Sequence, residues 1–144
     1  MAVVETRQNV AAAVPQVFAL LAEPRGWKRW WPAVGEARTL DGKALREGSR
    51  FELTLQMGML SATLRPRVVL FAEGRGLAWE GHWLGAPLRQ EWFVESRPEA
   101  TRVVARARFT GPGGLLLRLF RLDRRWLAML VEQLRALRRT AESL

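Results

Sequence analysis

Few side chains in this sequence could do chemistry, and their scarcity narrows the options. The chain holds one histidine, no cysteine and no tyrosine. Without cysteine there is no disulfide, no thiol nucleophile and no thiolate ligand. His82, in Glu80-Gly-His82-Trp83, could act as a general acid or base only if it reached a substrate. Strand alternation points it away from Trp79 and Trp83, toward solvent, unless Gly81 forms a bulge. No histidine pair or acid cluster has metal-ligand spacing, so no metal and no cofactor are expected. Gly111-Pro-Gly-Gly carries neither the Lys-Ser/Thr of a phosphate loop nor a dinucleotide fingerprint. Asp123 is the acid of interest, because it interrupts an apolar helical stripe. An acid there must be capped, paired with an arginine, or in contact with pocket water. Trp79, Trp83 and Trp92 could present flat faces to a ring-bearing or isoprenoid ligand, or could be dry core.

The elements that must position these residues are legible from their periods. Leu115 to Leu144 has no glycine and no proline, and reads as one helix of roughly 45 Å. Leu115, Leu119, Leu122, Trp126, Leu130, Leu134 and Leu137 fall on one side of it and Arg118, Arg121, Arg125, Glu132 and Arg139 on the other. With Leu115 at zero, Asp123 lies at about 80°, between Leu119 and Leu134. Pro112, Gly113 and Gly114 mark the start. At the other end of the chain, Val3 to Val10 reads as a strand. Val14, Val17, Phe18 and Leu21 then make a short helix with Pro15 in its first turn. A second helical turn between Pro24 and Pro32 carries Trp27, Trp30 and Trp31, which either plug a joint between small helices and a sheet or form a cage. From Val34 the period is two. Phe51, Leu53, Leu55 and Met57 make the clearest run. Ala62, Leu64, Val68 and Leu70 alternate less cleanly around Pro66. Further runs are Leu77–Trp79–Trp83, Leu88–Trp92–Val94 and Val103–Ala105–Ala107–Phe109, separated by turn residues at Asp41–Gly42, Gly58, Gly74–Gly76, Gly85–Pro87 and Pro98–Ala100. Short connections imply an antiparallel meander, and its apolar face needs a cover, which the long helix can supply.

Composition sets the remaining bounds. At 144 residues, 49% hydrophobic and 26% charged, the chain reads as a single globular domain over residues 1–144. No run of about 18 apolar residues occurs, and the N-terminus lacks the layout of a secretion signal. A cytoplasmic location is therefore expected. The formal charge is +9, with lysine only at positions 28 and 43. Such a charge favours weak, salt-sensitive contact with anionic membrane. Arg102, Arg106 and Arg108 point outward without interleaved aromatics, so no specific nucleic-acid partner is expected. Oligomeric state is not legible.

Several segments together resemble a known family. Val10-Ala-Ala-Ala-Val-Pro-Gln-Val17-Phe18 is similar to its opening strand-to-helix passage. Pro24-Arg-Gly-Trp27-Lys-Arg-Trp30-Trp31-Pro32 is similar to its proline–tryptophan–tryptophan–proline stretch. Gly48-Ser-Arg-Phe51 matches the glycine before its third strand. Glu95 to Val103 resembles its last hairpin, with Ala100-Thr101 where Gly-Thr is usual. The chain thus resembles the START-like, or polyketide cyclase/dehydrase and lipid-transport, superfamily. The resemblance implies an α+β helix-grip fold: a curved antiparallel sheet of about six to seven strands around a long C-terminal helix, with two short helices after the first strand. It implies a hydrophobic cavity between sheet and helix, for which Phe51, Leu53, Leu55, Leu64, Trp79, Trp83, Trp92, Phe109, Leu119, Asp123 and Leu127 are the expected lining. It also implies binding or transport of a small hydrophobic ligand: a lipid, an isoprenoid or a polyketide-like molecule. The alternatives are a cyclase or dehydratase using Asp123 or His82, and a basic domain that docks on anionic membrane. Fold alone does not choose among them.

Overall fold

A computed structural model describes residues 1–144. Strand β1 (Ala2–Val10) leads through Ala11–Ala13 into helix α1 (Val14–Ala22) and helix α2 (Pro24–Trp30). Pro15 and Pro24 each occupy the first turn of a helix, where a missing N–H costs nothing. Seven strands follow: β2 (Val34–Thr39), β3 (Phe51–Met57), β4 (Leu60–Leu64), β5 (Arg67–Ala72), β6 (Gly76–Trp83), β7 (Ala86–Arg97) and β8 (Ala100–Phe109). The chain ends in helices α3 (Gly111–Leu119) and α4 (Asp123–Glu142).

All strand pairs are antiparallel. β1-β8-β7-β6-β5 form one sheet and β2-β3-β4 a second. The backbone joins them where the segment before β3 meets β5. Gly48 N–H donates to Val68 O at 2.8 Å, Val68 N–H to Ser49 O at 2.8 Å and Phe51 N–H to Pro66 O at 3.2 Å. The result is one bent surface whose inner face is the period-two apolar set. α4 closes that face with Trp126, Met129, Leu130, Leu134, Ala136, Leu137 and Ala141, all buried. Its C-terminal end is held by Glu142, whose carboxylate accepts the Ala11 N–H at 2.8 Å and pairs with Arg138 at 3.2 Å. Those partners, the Ala11 N–H foremost, hold the Glu142 carboxyl below the usual range. This is the expected α+β helix-grip architecture, with no helix long and apolar enough to cross a membrane.

Two features of the sequence reading are corrected. There are eight strands rather than six or seven. The run from Ala62 to Leu70 is two strands, because Pro66 lies in the gap between β4 and β5. The thirty-residue rod is two helices. α3 ends in a Schellman motif: Leu122 N–H reaches Leu117 O at 2.8 Å and Arg121 N–H reaches Arg118 O at 3.1 Å. Arg121 takes the left-handed position, with φ of +58°, where glycine is usual. α4 is therefore 20 residues, about 30 Å long, and the phase of Leu115–Leu119 does not carry into it. α3 instead folds back on β8. A Cβ on Gly114 would stand 2.6 Å from the Phe109 carbonyl oxygen, so only glycine permits that approach.

A candidate ligand cleft at the edge of the core

The space between the sheet and α4 is filled by aromatic rings. Phe51, Leu53, Leu55, Leu64, Trp79, Trp83, Trp92 and Phe109 are all 0–2% exposed. The indoles form a continuous series of ring contacts. Trp27 meets Trp31 at 5.5 Å and Trp30 meets Trp31 at 6.1 Å. Trp31 then meets Trp92 at 6.2 Å, Trp92 meets Trp79 at 6.1 Å, Trp79 meets Trp126 at 6.4 Å and Trp126 meets Trp83 at 5.1 Å. Most of these pairs are edge-on or tilted, the arrangement the ring quadrupole favours. The eight residues expected as lining are thus packed as closed core.

The remaining expected site residues are placed elsewhere. Leu119 is 67% exposed on α3, because the break after it separates its phase from that of α4. Leu127 is half-buried against the core. Asp123 opens α4 and is also half-buried. Its Oδ1 accepts the N–H of Arg124 at 3.0 Å. A carboxylate in the first turn complements the helix dipole, and that is the role its contacts describe. His82 is exposed on the outer face of the sheet. There it borders a groove of about 460 Å³ lined by Arg50, Arg65, Arg67, Arg89 and Arg108.

Two buried glutamines were not anticipated. Gln90 and Gln133 are 0% and 1% exposed. Gln90 Oε1 accepts the Trp126 indole N–H at 2.8 Å, and Gln133 Oε1 accepts the Trp92 indole N–H at 3.0 Å. The two bonds run in opposite senses between β7 and α4, and fix where the helix sits on the sheet. Gln90 lies in the apolar phase of β7, between Leu88 and Trp92, and Gln133 lies on the buried face of α4. A polar residue in an apolar phase is the signal that would have found both. On the outer face, Glu91 is buried among Arg89 at 3.2 Å, Arg108 at 3.7 Å and Arg106 at 3.9 Å. Glu5 pairs with Arg106 at 2.8 Å. That bond, with a second from Arg7, holds the Glu5 carboxyl below its ordinary range.

An opening lies at the edge of this core. A cleft of about 420 Å³ is lined by Trp31, Pro32, Ala33, Gln56, Met57, Gly58, Arg125, Ala128, Met129 and Glu132. One wall is the N-terminal half of α4. The other is the end of the β3–β4 hairpin and the turn after α2. Gly58 is the first of the two turn residues, with φ of +63°, the conformation a tight hairpin demands there. The Arg125 guanidinium lies 3.6 Å from where a Cβ on Gly58 would be. Trp31 is the one tryptophan of the lining, and its indole Nε1, like those of Trp30, Trp79 and Trp83, is buried without a hydrogen-bond partner. His82 and Asp123 do not line this cleft. The titratable groups it brings together are Arg125 and Glu132.

Comparison with known proteins supports the architecture over nearly the whole chain. The family model for polyketide cyclase/dehydrase and lipid transport matches residues 1–142. No curated protein matches the sequence. Among solved structures, a hypothetical protein of Helicobacter pylori superposes with a TM-score of 0.81 at 17% identity, covering 97% of this chain and 88% of its own. A START superfamily protein of Mycobacterium smegmatis gives 0.74 at 16% identity, covering 98% and 97%. An aromatase/cyclase from a Streptomyces species gives 0.76 at 18% identity, covering 98% and 93%.

Proposed function

The chain belongs to the polyketide cyclase/dehydrase and lipid transport family, and from that premise we propose that it binds a small, largely apolar molecule in the cleft between α4 and the β3–β4 hairpin. The observation that carries this reading is the composition of the cleft. Met57, Met129, Ala128, Pro32 and Ala33 supply an apolar lining, and methionines adapt their shape to an irregular guest. The volume of about 420 Å³ lies in the range of small-molecule sites.

The polar groups define the other end of the guest. Gln56 and Arg125 add an amide and a cation to the lining. The ligand class is therefore an apolar body with a carbonyl, hydroxyl or carboxylate at one end.

Native mass spectrometry of freshly purified protein, followed by extraction and identification of any bound molecule, tests the reading. A matched variant sharpens it. Ala128 lines the cleft and is exposed, so Ala128→Trp fills the site without entering the core. The variant is expected to melt with the parent and to bind the extracted molecule, or the apolar dye anilinonaphthalene sulfonate, about tenfold more weakly, a loss of about 1.4 kcal/mol. Parent-like affinity in the folded variant would place binding elsewhere.

A further inference from the structure

α3 has two apolar faces, and the fold uses one. Gly114 and Leu117 are buried. Leu115, Leu116, Leu119 and Phe120 are 51%, 53%, 67% and 72% exposed. Their spacing of i, i+1, i+4 and i+5 keeps them on one side of the helix and its terminating turn. Isolated exposed leucines are ordinary, but a contiguous stripe marks a contact surface.

The charges around the stripe are predominantly positive. Arg118, Arg121, Arg124 and Arg125 are all exposed. The ion pairs of the C-terminal helices are Arg138–Glu142 and Arg139–Glu132, so these four arginines have no carboxylate partner. Asp123 is the single acid between Gly111 and Ala128, and it is occupied with the Arg124 N–H. The β3–β4 turn adds to the same corner. Arg125 lies against Gly58, and the next residue, Met59, is fully exposed.

We propose that this corner is the protein's docking surface for an anionic lipid bilayer. Leu115, Leu116, Leu119 and Phe120 would enter the interfacial layer, with α3 lying in its plane. The four guanidiniums would meet lipid phosphates, which their planar donor forks fit. Charge argues against a second copy of this chain as the occupant. Pairing the stripe with itself brings the unpartnered arginines of one copy against those of the other. A nucleic acid would use the arginines and leave the leucines in water. Arg125 belongs both to this corner and to the cleft, so docking would place the cleft's opening at the membrane. The surface itself stands on α3 and does not depend on what the cleft holds.

Charge alone gives adhesion that fades as salt screens it. The apolar stripe adds a component that salt does not screen, which sets the experiment. The full chain is co-sedimented at physiological salt with phosphatidylcholine vesicles, with and without phosphatidylserine. Retention is expected on the phosphatidylserine vesicles and not on phosphatidylcholine alone. Leu119→Ser/Phe120→Ser is expected to bind about tenfold more weakly with an unchanged melting temperature, since both side chains are exposed. Arg50→Gln/Arg67→Gln removes two positive charges from the outer face of the sheet and leaves the corner intact, and is expected to bind like the parent. A parent that is not retained on phosphatidylserine vesicles, or is retained equally on phosphatidylcholine alone, would overturn the proposal, and so would any of three further results. One is parent-like binding by the serine variant. Another is equal loss from the outer-face variant, which would make net charge the cause. The third is a solution dimer that the serine variant dissociates, which would make a second copy the occupant.

Discussion

A chain ending at Trp126 is expected to lose cooperative folding altogether. The missing segment holds Met129, Leu130, Leu134 and Leu137, all buried, and burying side chains of this size contributes about 1.5–3 kcal/mol each. The four together account for about 6–12 kcal/mol, comparable with the whole stability of a typical domain at about 5–15 kcal/mol. Removing them also uncovers the inner face of the sheet and strips Trp92 of its acceptor, Gln133. The shortened protein should sediment as aggregate or show a broad, non-cooperative thermal trace. A soluble product melting sharply near the parent temperature would show that the sheet is stable without its cover.

Within the helix, one residue concentrates the effect. Trp126→Ala is expected to be the most damaging single substitution. Its ring contacts Trp83 at 5.1 Å, Phe109 at 5.8 Å and Trp79 at 6.4 Å. Removing such a ring costs about 3–5 kcal/mol. The change also leaves Gln90 Oε1, which accepts the Trp126 N–H at 2.8 Å, buried without a donor, for about 1–3 kcal/mol more. Trp126→Phe separates the terms. It keeps most of the ring and loses the N–H, so it should cost about 1–3 kcal/mol. Urea titrations of the three proteins measure both differences, given slopes that agree. If Trp126→Phe matches the parent, the indole–glutamine bond contributes nothing and packing alone carries the residue.

The sequence made the order of elements legible because strands and helices differ in period. Leu53–Leu55–Met57 and Val103–Ala105–Ala107 alternate, and Leu130–Leu134–Leu137 repeats at helical spacing. The break before α4 was not legible. Schellman turns announce themselves by glycine, and here Arg121 takes the left-handed position, so Phe120–Leu122 reads as more helix. That error displaced Leu119 and Asp123, because both were placed by one continuous phase. Whether a tryptophan lines a space or fills it is likewise not written in its spacing. It depends on how far the sheet bends and how much volume Trp79, Trp83, Trp92 and Trp126 bring, which only coordinates supply. The cleft was hidden for another reason. Its residues come from the turn after α2, the β3–β4 hairpin and α4, and apart from Trp31, whose segment reads equally as a plug or a cage, none is unusual in its own segment. Gln90 was within reach, since Leu88–Gln90–Trp92 puts an amide where the alternation calls for an apolar residue.

The series of indole contacts has an optical consequence. The chain has no tyrosine, and all seven tryptophans belong to the one connected series. None is more than 8% exposed. Near-ultraviolet light is therefore absorbed almost wholly by the interior, and emission should be blue-shifted. With neighbouring centroids 5.1–6.4 Å apart, excitation can migrate from ring to ring before it is emitted. Trp31 is the member of the series that lines the cleft. A quenching molecule seated there would drain light absorbed as far away as Trp83, so a guest touching one indole can darken the whole array.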